Sequence, residues 1–222
     1  MELAITIDAM EPFVRTTYVL EGDGALALVA YEMVSKLFSV ITTEHYPNVT
    51  SIAKQLSGGN ATREGQLVAY AKSCVQPAYA YFQEKFNNDL NPALLAFKAA
   101  RYFSPYKLDD LKPTATDIDS LRRFTFLDSD PVIDGLKSEL SAYKAAAEGL
   151  SVQTDPITWW KMHESDLHNW AKAFKLILLV QPSSAASERV FSILSNSFSD
   201  HQESSLEDYI QLSVMLQYNY RS

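Results

Sequence analysis

Apolar residues recur along this chain mainly at the three- and four-residue spacing of amphipathic helices. Leu26, Val29, Ala30, Met33, Leu37, Val40 and Ile41 form one such series, with Glu32, Ser35, Lys36 and Ser39 on the other side. Gly22-Asp23-Gly24 places a turn before it. A second series from about Arg63 to Phe86 points Leu67, Ala71, Cys74, Ala78, Tyr81 or Phe82, and Phe86 inward. Pro77 lies inside that series and is expected to kink or split the helix. The loop before it is Ser57-Gly58-Gly59-Asn60. Asn91-Pro92 opens a shorter helix to about Tyr102, and the stretch from Ser104 to Asp130 reads as loops with short helices. Asp130-Pro131 starts another helix, with Val132, Ile133, Leu136, Leu140 and Tyr143 on one side. At the N-terminus Leu3, Ile5 and Ile7 alternate like a strand ending at Asp8, yet Leu3, Ile7 and Met10 also fit a helix. No second strand is available to pair with it, so a helix is expected there.

The second half of the pattern follows a connection at Gly149–Pro156, the best candidate for a boundary between two regions, 1–150 and 151–222. After it come Trp159-Trp160 and a helix bearing Leu167, Trp170, Ala171, Phe174 and Leu178, with Ser165 as its expected cap. Pro182 opens the next helix. The last one, from about Leu206 to Tyr220, is apolar at Leu206, Tyr209, Ile210, Val214, Leu216 and Tyr220. So wide an apolar arc belongs either in a core or against another chain. The expected fold class is mainly all-α.

Composition narrows the function classes. The chain is 47% hydrophobic with 21% charged residues, which suits a folded core rather than disorder. Its net charge of −8 argues against this piece gripping nucleic acid by electrostatics, and Arg122-Arg123 with scattered lysines builds no obvious basic patch. The single cysteine, Cys74, rules out an intrachain disulfide and is expected to be buried. His163 and His168 are five apart, not the four that align two ligands on a helix face, so no zinc site is expected. No signal peptide is visible, and no run approaches the ~20 apolar residues of a membrane span.

The most chemical stretch is Pro182-Ser183-Ser184-Ala185-Ala186-Ser187-Glu188-Arg189-Val190-Phe191-Ser192. Proline followed by serines signals a helix start, because serine can cap free N–H groups. Glu188 then falls about 60° from Phe191, at the edge of the apolar face, on the same edge as Ser184 and Ser195. A carboxylate among small residues can be reached by a metal ion or a partner, or simply faces water. Arg189 points away from the apolar stripe, as a solvated or ion-paired residue or as a contact to DNA phosphate or to an acidic neighbour. Trp159 and Trp160, adjacent in sequence, point about 100° apart on a helix. One is therefore expected in the core, and the other either partly covered by a loop or anchored in an interface.

The segment Trp159-Trp160, an apolar helix, and then Ser183-Ser184 through Glu188-Arg189-Val190-Phe191-Ser192 resembles the C-terminal region of hAT-family DNA transposases. Met10-Glu11-Pro12-Phe13 with Thr16-Thr17, and Ala99-Ala100-Arg101-Tyr102-Phe103-Ser104-Pro105, look like degenerate versions of upstream segments of that family. The resemblance implies a helical insertion domain over 1–150, followed by the C-terminal helices of a truncated ribonuclease-H-like core over 151–222, the hAT dimerisation region. It makes Glu188 the counterpart of the family's third catalytic carboxylate and Ser183, Ser184, Ser187, Arg189, Phe191 and Ser192 the signature around it. Trp159, Trp160, Trp170, Leu206, Ile210 and Val214 become the packing or dimerisation residues. The family's two strand-borne aspartates have no counterpart here. One glutamate cannot assemble a two-metal site.

The expectation is therefore a transposase-derived protein that self-associates through its C-terminal region, as a homodimer or higher, without catalysis or a cofactor of its own. The alternative is the C-terminal fragment of an active metal-dependent transposase that cleaves and transfers DNA strands. In it Mg²⁺ would bind Glu188 together with upstream aspartates. DNA enters as a partner only in the full-length context, and a membrane does not. A helical adaptor with no DNA role is a third reading. The resemblance implies a nuclear location, and composition alone implies an intracellular, soluble chain.

Overall fold

In the computed structural model, residues 1–43, 45–86, 91–185, 187–190, 192, 212, 215–216 and 218–219 are described. Every regular element among them is helical. The α-helices are α1 (Glu2–Leu20), α2 (Ala30–Thr42), α3 (Pro47–Ser57), α4 (Ala61–Lys85), α5 (Pro92–Ala100), α6 (Leu108–Leu111), α7 (Ala115–Ile118), α8 (Asp130–Ala147), α9 (Pro156–Met162) and α10 (His168–Ile177). Short 3₁₀ turns at Leu26–Leu28, Arg101–Phe103, Pro105–Lys107 and Asp119–Arg123 link them. The alternating start of the chain is helical, as the Leu3–Ile7–Met10 spacing required.

Two apolar cores divide these helices. The first lies among α1–α4 and buries Ala4, Leu37, Ile41, Val49, Ala71, Val75 and Tyr79. Phe82 fills its open side, 5.1 Å from Phe13 and 4.8 Å from Phe38 between ring centres. The second core gathers α5, α8, α9, α10 and the short helices around Phe103, Tyr143, Trp160 and Trp170. It also takes Ala27 and Leu28 from the turn before α2, while Leu37 and Ile41 further along α2 enter the first core. Helix α2 thus bridges the two. The Gly149–Pro156 connection does not separate them, because Leu136, Tyr143, Trp160 and Trp170 from either side of it share one core.

Helix α4 departs from its expected register. It runs unbroken through Pro77 and buries Ala71, Val75 and Tyr79, leaving Cys74 and Ala78 exposed. Its sequence carries two overlapping apolar stripes, and packing on α3 selects the narrower one, where Ala71 lets the backbones approach. Pro77 faces solvent, so water can reach the carbonyl that lost its N–H partner.

Two helices lack a capping residue of their own and borrow a carboxylate. Helix α3 follows Tyr46, and α10 follows Leu167. The Asp8 carboxylate of α1 accepts from the Val49 N–H at 2.8 Å, the Asn48 N–H at 3.3 Å and the Asn48 side-chain amide at 2.6 Å. The Glu139 carboxylate of α8 accepts from the Asn169 N–H at 3.0 Å, the Trp170 N–H at 3.2 Å and the Asn169 side-chain amide at 2.7 Å. In both, an anion from another helix satisfies the orphan N–H groups and sits at the positive end of the dipole. Ser165, the expected cap of α10, instead donates to Asp166.

Candidate self-association region and the Ser–Glu signature

Helix α9 is seven residues long and wedged between α8, α10 and the Phe103 turn. Asp155 starts it, accepting from the Thr158 N–H at 2.9 Å and its hydroxyl at 2.6 Å. These bonds hold the Asp155 carboxyl below the usual carboxylate range. Both tryptophans that follow are buried, Trp159 at 3% and Trp160 at 2% exposure, which corrects the expectation that only one would be. Trp159 stacks on His163 at 3.9 Å and faces Tyr143, while Trp160 lies parallel to Trp170 at 6.3 Å and faces Phe174. A short helix lying in a groove can bury side chains 100° apart, because its neighbours cover it from both sides.

Three buried polar aromatic atoms in this cluster reach backbone carbonyls. The Trp160 indole N–H donates to Phe103 at 2.9 Å, the Trp170 indole to Leu136 at 2.8 Å, and the Tyr143 hydroxyl to Tyr102 at 2.9 Å. Burial pushes the Tyr143 hydroxyl well above its ordinary pKa, so it remains a donor. Trp159, Trp160 and Trp170 therefore pack the chain's own core and are closed to a partner.

The signature begins against the end of α1. The Ser183 hydroxyl donates to the Leu20 carbonyl at 3.1 Å, one of the carbonyls that a helix C-terminus leaves free. Pro182 and Ser183 help close a cavity of about 450 Å³ that Phe13, Leu37, Phe82 and Phe97 line where the two cores meet. Helical backbone starts at Ala185, with the Glu188 N–H on the Ser184 carbonyl at 2.9 Å. The Ser184 hydroxyl donates to the Glu188 carboxylate. Glu188 is exposed, and so are Ser187 and Ser192. Arg189 pairs with Asp23 at 3.4 Å, just past α1, and lies 6.0 Å from the centre of the Tyr218 ring. Arg189 is thus paired with an acidic neighbour of its own chain.

Among the described residues no three His, Cys, Asp or Glu side chains stand close enough to hold a metal ion. Among the described residues the Glu188 carboxylate meets the Ser184 hydroxyl. Phe191, Leu206, Ile210 and Val214 lie outside the described residues. Leu212, Met215 and Leu216, which are described, have helical backbone and exposed side chains at i, i+3 and i+4. No helix among the described residues is long and apolar enough to cross a membrane.

Sequence reasoning missed Glu139. Its only advance signal was a negative one, that Leu167 cannot cap the helix it precedes.

Residues 139–220 match the family model of the hAT family C-terminal dimerisation region, opening at the very glutamate that caps α10. The match supports the C-terminal part of an hAT-family transposase in this chain, as the Ser183–Ser192 signature implied. No curated protein and no solved structure matches the chain.

Proposed function

We propose that this chain, whose C-terminal part carries the hAT dimerisation region, is a transposase-derived association module that pairs with a second copy through residues 139–220. The match over those residues carries the reading. The distribution of apolar side chains supports it. The tryptophans of the region are used up inside the chain, whereas Leu212, Met215 and Leu216 present one apolar face to solvent. Burying such a face is the driving force available for association, at about 25 cal/mol per Å² before the costs of binding.

Glu188 has no part in this reading beyond packing the signature against its own helix start. DNA contact and a nuclear location belong to the wider family context and are part of the same proposal. The test compares the native chain with a Leu212→Ser/Met215→Ser/Leu216→Ser variant by light scattering after gel filtration. The native chain runs as a dimer or higher, and the variant shifts to monomer with unchanged helicity. A variant that associates as tightly as the native chain would exclude this face.

A further inference from the structure

Helix α1 has two apolar faces, and only one is used. Ala4, Asp8 and the half-buried Ile5, Ala9 and Phe13 turn to the first core. On the opposite side stand Leu3, Ile7, Met10, Val14 and Tyr18, between 44% and 81% exposed. At about 100° per residue these five fall within an arc of roughly 80°. Leu3, Ile7, Met10 and Val14 are separated by four, three and four residues, the narrow seam of a coiled coil rather than the broad face of a core helix.

The chemistry of the seam restricts what can cover it. Helix α1 carries Glu2, Asp8 and Glu11 against Arg15 alone. A helix that lies on anionic lipid or nucleic acid needs a basic face, so neither suits this one. A second helix with the same spacing does. The seam is complementary to itself when reversed: Leu3 then meets Val14, and Ile7 meets Met10, so every layer is apolar on apolar. Such a contact is isologous and closes at two chains.

The region matched to dimerisation meets α1 at its C-terminal end. Ser183 is bonded to the last turn of α1, Arg189 is paired with Asp23 just beyond it, and Tyr218 lies against Arg189. The overlap from Leu3 to Val14 is only about 18 Å long. It covers less than the roughly 800 Å² per partner of a standard interface, so the remainder has to come from a neighbouring surface. Leu212, Met215 and Leu216 are further exposed apolar side chains of the chain.

We infer that the outer seam of α1 is a second contact surface for another copy of this chain, with two α1 helices packed antiparallel, Leu3 against the partner's Val14 and Ile7 against the partner's Met10. The inference rests on self-association, and it adds a helix outside residues 139–220. Sedimentation equilibrium on the full chain tests it with Ile7→Glu/Val14→Glu, which places two carboxylates in the seam. The dimer dissociation constant is expected to rise at least about tenfold, with helicity and unfolding of the dilute monomer unchanged because both side chains are exposed. Phe126→Glu, exposed in the turn before α8, is expected to leave the dissociation constant unchanged.

A second measurement reads the geometry. Leu3→Cys chains and Val14→Cys chains, each carrying Cys74→Ser, are mixed and oxidised. An antiparallel seam gives the mixed disulfide in preference to either homodimer. A native dimer that the double glutamate variant leaves unchanged overturns the seam while sparing the C-terminal reading. A dimer broken by the seam variant but not by the Leu212/Met215/Leu216 variant does the reverse. Homodimers of Leu3→Cys in place of the mixed product overturn the antiparallel arrangement.

Discussion

Single residues here decide how helices start. Glu139 illustrates this, since one carboxylate on α8 satisfies the first N–H groups of α10. Glu139→Ala leaves those donors without their partner at a partly buried helix end. It is expected to cost about 1–3 kcal/mol in urea unfolding, with Glu139→Gln recovering part of the loss. Gly135 lies one turn earlier on the same face, and a β-carbon there would come within 2.9 Å of the Asn169 side chain. Alanine normally stabilises a helix interior by about 0.5–1 kcal/mol over glycine. Gly135→Ala is expected to lose that gain and destabilise, because it displaces the amide bonded to Glu139. In an Asn169→Ala background the same change should turn stabilising, a sign reversal that a double-mutant cycle reads directly.

Asp155 allows a test with pH. Its pKa is lowered in the folded chain by the Thr158 hydroxyl and N–H. Its contribution is therefore present above the unfolded carboxylate value near about 4 and fades as pH falls through the lower folded value. Asp155→Ala should cost about 1 kcal/mol near neutral pH, the typical worth of a helix cap. The gap between variant and native unfolding curves should close in strong acid. A gap that persists there would mean that the carboxylate charge is not what caps α9.

At the scale of elements, most helices were legible from periodicity, α3 (Pro47–Ser57) was not, and the partners of all were not. The pattern Ile133, Leu136, Leu140 and Tyr143 gave the buried face of α8 correctly, because that helix has a single apolar stripe. Helix α4 has competing stripes, so Cys74 and Val75 changed places between expectation and structure. The borrowed caps lie forty and thirty residues from the N–H groups they serve, a distance at which no local pattern operates. Helix α9 shows the same limit. Adjacent tryptophans cannot share one face, but only the assembled groove reveals that both faces are covered. Trp160→Phe removes the bond to the Phe103 carbonyl and leaves a void, and should cost about 2 kcal/mol or more in monomer unfolding. Were Trp160 an interface anchor, the change would weaken association and spare the monomer. Of the candidate site, the position and exposure of Glu188 were legible, while its contact with Ser184 and the pairing of Arg189 with Asp23 depend on the fold.

At the scale of the whole molecule, two cores joined by α2 hold the C-terminal region against the end of α1 through Ser183 and Arg189. The described residues of the matched region up to Val180 thus pack in the second core. Its tryptophans are buried in the chain's own core, and Leu212, Met215 and Leu216 are exposed. The most direct test of this account is sedimentation equilibrium of the native full chain over a dilution series reaching high micromolar concentration. The account predicts a reversible approach to twice the chain mass or a higher multiple. A single mass equal to one chain at every concentration would contradict it.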